Sequence, residues 1–76
     1  MNKQERIDKR NELIVRKFHE LYDLKRMRID DVLEELETKH FFLDAKYIHS
    51  IIFYNKRWND YYESLLGDRK EIIKFR

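Results

Sequence analysis

The sequence predicts an all-α protein, a small bundle of about four helices. A single glycine and no proline in 76 residues leave β-turns without their usual residues. Four successive segments repeat apolar residues at helical spacing. With 42% hydrophobic residues, among them five Phe, five Tyr and one Trp, the chain has enough large side chains to fold as one domain. Its core is expected to be thin, so stability is marginal or supported by a partner.

From Asn2 to about Leu24, charged residues are interleaved with Ile7, Ile14, Phe18, Leu21 and Tyr22, which predicts one long amphipathic helix. Residues 1–10 offer only Ile7 to a core and are expected to project or fray. Lys25-Arg26-Met27-Arg28 breaks the phase of the stripe. Asp30 and Asp31 then provide the negative charge that a helix N-terminus favours. A second helix is therefore expected from about Ile29 to Lys39, with Ile29, Val32, Leu33 and Leu36 inward and Asp30, Asp31, Glu34, Glu35 and Glu37 toward water.

His40-Phe41-Phe42-Leu43-Asp44 interrupts helical periodicity and reads as a buried turn, with Asp44 as N-cap of a third helix over about 45–54. Ile48, Ile51 and Ile52 form its inward stripe. Lys46, His49, Ser50 and Phe53 lie opposite, with Tyr47 and Tyr54 flanking. Asn55 interrupts, after which Trp58, Tyr61, Tyr62, Leu65 and Leu66 follow the spacing of a fourth helix. Gly67 stands where a left-handed C-terminal cap belongs. The tail 68–76 admits continuation as helix, an edge strand or a loose end. The aromatic stripe of the fourth helix reads as core, with a homodimer interface as its other use.

The charge balance of +2 announces no polyanion partner, but its distribution is uneven. Residues 1–28 carry a net +4, residues 29–44 a net −5 and residues 45–76 a net +3. Such blocks can be solvated faces that pair with one another. The stretch between Ala45 and Asn59 nevertheless has no acid, and its polar, basic and aromatic side chains suit an anionic, hydrogen-bonding partner with apolar patches, which describes DNA.

Two short helices joined by a compact hydrophobic turn, the second with a basic and polar outer face, form the outline of a helix-turn-helix reader. The run KRMRIDDVLEELETKHFFLDAKYIHSII, residues 25–52, also resembles small bacterial helix-turn-helix proteins carried on phages and other mobile elements. The matching positions are Lys25, Arg26, Arg28, Asp30, Asp31, Val32, Leu36, Phe42, Leu43, Asp44, Ile48, Ile51 and Ile52. The resemblance implies that the helix after the turn reads double-stranded DNA and that the protein is a small transcriptional regulator or an accessory factor of a mobile element. The chain departs from the common short motif in lacking Gly in the turn and in its longer, aromatic connection.

On that reading Lys46, Tyr47, His49 and Ser50 are the expected base contacts, and Arg26, Arg28, Tyr54, Lys56 and Arg57 the expected backbone contacts. Each has an ordinary alternative: Lys46 as a solvated lysine, Tyr47 and Tyr54 as lids over the core. A homodimer would double the phosphate contacts and set the half-site spacing. The other function class is a non-enzymatic protein-interaction module that uses the acidic second helix and the aromatic fourth helix.

An enzyme is not expected, since the acids lie on an exposed helix with little core to desolvate them. No cofactor, metal or small-molecule substrate is expected: His19, His40 and His49 lack metal-site spacing. There is no cysteine for thiolate chemistry or disulfides, which accords with a reducing compartment. No apolar run is long enough to cross a membrane and the first residues are too polar for a signal peptide, so a cytoplasmic protein is expected.

Overall fold

A computed structural model describes the backbone of residues 2–74 and the side chains of residues 2–67. Four helices follow in chain order: α1, Lys3–His19; α2, Ile29–Glu35; α3, Ala45–Phe53; and α4, Lys56–Lys74. No strand occurs among the described residues. The first two helices each widen into a five-residue π turn, Glu20–Leu24 after α1 and Leu36–His40 after α2. The longest helix, α4, packs along both α1 and α3, and α2 closes the bundle against α3 and the end of α1.

The core follows the apolar stripes. Ile14, Val15, Phe18 and Leu21 meet Val32 and Leu36, Ile48, Ile51 and Ile52, and Trp58 and Tyr62. Val15 and the buried Asn11 add to the expected stripe of α1, because a core-facing helix buries a band wider than one row. The Phe18 ring is fully buried, with its neighbours Phe53 and Tyr62 edge-on at 5.6 and 5.5 Å. Phe53 was expected on the outer side of α3; it instead leans over Phe18 and is half-buried, since α1 and α4 cover that side.

Helix ends explain the remaining corrections. Asn2 caps α1 by accepting the Glu5 N–H at 2.8 Å. Residues 2–6 are exposed, and the next turn of α1 is tied to the bundle: Asp8 pairs with Arg57 of α4 and Arg10 with Tyr47 of α3. Asp44 occupies the N-cap position of α3 but its side chain makes no capping bond; the Glu37 carboxylate accepts the Ala45 N–H at 3.2 Å in its place. The turn before α3 is only partly buried, with Phe41 and Leu43 packed on the core and Phe42 74% exposed.

Between α3 and α4 the interruption at Asn55 holds, and two side chains knit it. The Asn55 carboxamide oxygen lies 3.4 Å from the Trp58 N–H, and Asn59 donates to the Ile52 carbonyl at 3.0 Å. The expected cap at Gly67 does not form. The glycine lies inside α4 with no positive φ, because the residues that follow are compatible with helix and contain no proline. The tail expected over 68–76 is thus helical through Lys74, and residues 75–76 lie outside the described residues.

Candidate nucleic-acid interface

The side chains named from the sequence as base contacts all project from α3, whose buried isoleucines fix its rotation against α1, α2 and α4. Lys46, in its first turn, is exposed and makes no ion pair among the described residues. His49 is half-buried, its ring 4.7 Å from that of Phe53 and 5.6 Å from that of Tyr54. Ser50 donates its hydroxyl to the Tyr47 carbonyl at 2.7 Å, which occupies its proton and leaves the oxygen as an acceptor.

Tyr47 is already committed within the molecule. Its hydroxyl accepts from Arg10 Nη2 at 3.1 Å, while the same guanidinium lies 5.6 Å from the ring centre. Arg10 also bonds the buried Asn11 carboxamide through Nε and Nη2, at 3.2 and 3.0 Å. This three-residue brace ties the outer edge of α3 to the middle of α1. Neither Arg10 nor Asn11 was singled out from the sequence, because Arg10 and Tyr47 are 37 positions apart.

The expected backbone contacts divide into two groups. Arg26 and Arg28 stand exposed in the connection before α2, without an ion pair among the described residues, and Tyr54 is 79% exposed at the end of α3. Lys56 and Arg57 are engaged. Lys56 lies 2.9 Å from Asp60, whose hydrogen bond and charge raise the lysine pKa above its ordinary value. Arg57 pairs with Asp8 at 3.1 Å and lies 4.7 Å over the Trp58 ring.

Acid borders this face at the start of α3. The Glu37 carboxylate accepts the Ala45 N–H and Asp44 stands exposed at the N-cap position, so the acid-free stretch begins at Ala45 and extends toward Tyr54. Between α2 and α3, Leu33, Ala45, Lys46, His49 and Tyr54 line a groove of about 310 Å³ in which Lys46 is the charged member. The outer side of α2 differs: Asp31, Glu34 and Glu35 line a groove beside Met27, Thr38 and Lys39.

Compared with known proteins, the chain matches no family profile, no curated protein and no solved structure. The remaining histidines are held by carboxylates: His19 Nδ1 by Asp23 at 3.1 Å and His40 Nε2 by Glu35 at 3.2 Å. No helix is long and apolar enough to cross a membrane among the described residues.

Proposed function

We propose that this protein binds double-stranded DNA in a sequence-specific manner through the outer face of α3, as a small regulator or an accessory factor of a mobile element. The observation that carries the proposal is a helix with three buried isoleucines on one side and an exposed Lys46 with half-buried His49 and Ser50 on the other, with no acid between Ala45 and Asn59. Such a helix suits the major groove, roughly 12 Å wide, where base edges offer donors and acceptors. Lys46 and His49 read bases, with Tyr47 and Ser50 at the margin. Arg26, Arg28 and Tyr54 hold phosphates directly. Lys56 and Arg57 join them by exchanging solvent-screened ion pairs for phosphate oxygens.

The test is titration of the folded protein with duplex DNA over a range of salt. Binding that weakens steeply with salt, with a shallower slope and lower affinity for Lys46→Ala combined with Arg57→Ala, supports the proposal. A folded protein that ignores duplex DNA at low salt ends it. One observation favours a second reading, a protein-interaction module: the carboxylate-lined groove on α2 suits a basic partner segment. An interface mapped to Asp31, Glu34 and Glu35, and indifferent to Lys46→Ala, would select that reading.

A further inference from the structure

We propose that the groove between α2 and α3 seats the 5-methyl edge of a thymine in the major groove, an inference that rests on the duplex-DNA reading above. The groove has an apolar floor from Leu33 and Ala45 and an aromatic wall from His49 and Tyr54, whose rings lie 5.6 Å apart. Lys46 is its one charged lining residue.

Two other grooves on the surface differ in this respect. In one, Asp31, Glu34 and Glu35 outnumber Lys39, and in the other, between α1 and α4, Glu5, Asp8 and Glu12 outnumber Lys9 and Arg57. Both linings are net acidic, which disfavours a polyanion. Of these three, only the α2–α3 groove is lined by a cation and apolar side chains with no carboxylate, on the face that carries the candidate base contacts.

Major-groove base edges are donors and acceptors with one exception, the thymine methyl group. An apolar depression on a base-reading helix therefore has one complement in unmodified DNA. The same base carries the O4 acceptor next to its methyl group, and the Lys46 ammonium at the rim donates to it. The groove is larger than a methyl group alone, so it takes the methyl together with the ring edge that bears it.

The experiment selects a bound duplex from a random pool with the full chain and then replaces each thymine in turn by deoxyuridine, which removes only the methyl group. At one thymine of each bound site, affinity is expected to fall about fourfold, the ratio equivalent to one buried methyl-sized group. Tyr54→Ala, which removes a side chain 79% exposed, should bring that thymine-to-uracil ratio close to one. His49→Ala is the second wall variant and should do the same. Arg28→Ala should weaken both duplexes equally and preserve the ratio. A selected duplex in which every thymine tolerates deoxyuridine overturns the groove assignment while leaving DNA binding intact. A gain from 5-methylcytosine with no uracil effect overturns thymine as the occupant. A folded protein that selects no duplex overturns both proposals.

Discussion

Tyr62 donates its hydroxyl to Asp23 at 2.7 Å, and Asp23 also holds His19, so a polar chain ties the end of α1 to α4 beside the core. Burial, followed by the Asp23 hydrogen bond and charge, pushes the Tyr62 phenol well above its ordinary value near 10. A group whose folded pKa is raised contributes stability that is complete below the unfolded value and is lost as pH climbs toward the folded one. Thermal unfolding followed across alkaline pH should therefore show the midpoint falling above about pH 10, and Tyr62→Phe should flatten that fall. A Tyr62→Phe profile as steep as wild type would assign the alkaline loss to other tyrosines. At the same scale, Phe18→Ala empties the centre of the core and should cost about 3–5 kcal/mol, enough in a chain this small to leave little folded protein by circular dichroism.

The elements share a mode of termination. Lys25 bonds the Glu20 carbonyl and Phe41 the Leu36 carbonyl, each across five residues, and Arg26 and Phe42 then turn the chain with φ of 58° and 57°. Met27 and Leu43 follow on the core, and Val32 and Ile48 are the first fully buried residues of the next helices. Two connections sixteen positions apart are thus built alike, without the glycine that usually occupies such a left-handed position. A bulky residue there costs about 1–2 kcal/mol. Because Phe42 is mostly exposed, Phe42→Gly should raise stability by about 1 kcal/mol in denaturant unfolding, and an unchanged midpoint would place the strain elsewhere. Gly67 is the converse case. It lies inside α4 and a Cβ there meets nothing within 4 Å, so Gly67→Ala should stabilise by up to about 1 kcal/mol. Destabilisation by that variant would restore the cap that the spacing suggested.

Across the whole molecule, a net charge of +2 makes local placement decide any polyanion binding. If Arg26, Arg28, Lys56 and Arg57 each neutralise one phosphate, the log–log salt slope should be about −3.6, a loss of roughly 150-fold in affinity between about 50 and 200 mM salt. A slope near −2 would mean that Lys56 and Arg57 keep their pairs with Asp60 and Asp8, and that only Arg26 and Arg28 reach the backbone. Asp8→Asn separates these cases, since it frees Arg57 and should steepen a shallow slope. A protein with two copies on adjacent half-sites would show about twice either value.

Helical class, the inward isoleucines of α3, the break at Asn55 and the acidic start of α2 were all legible in the chain, because each depends on spacing or on a residue's own backbone preference. Lys46 as an accessible cation was legible for the same reason. The partners of Tyr47 and Arg57 were not, since Arg10 and Asp8 lie far away in sequence and meet them only when α1 packs against α3 and α4, whereas Asp60, the partner of Lys56, is one turn along the same helix. Phe53 turned inward for that reason too, and the α2–α3 groove exists only where two helices meet. Periodicity assigns a side chain to one face of its own helix. Which neighbour covers that face, and which charges it brings, is settled by packing between segments distant along the chain.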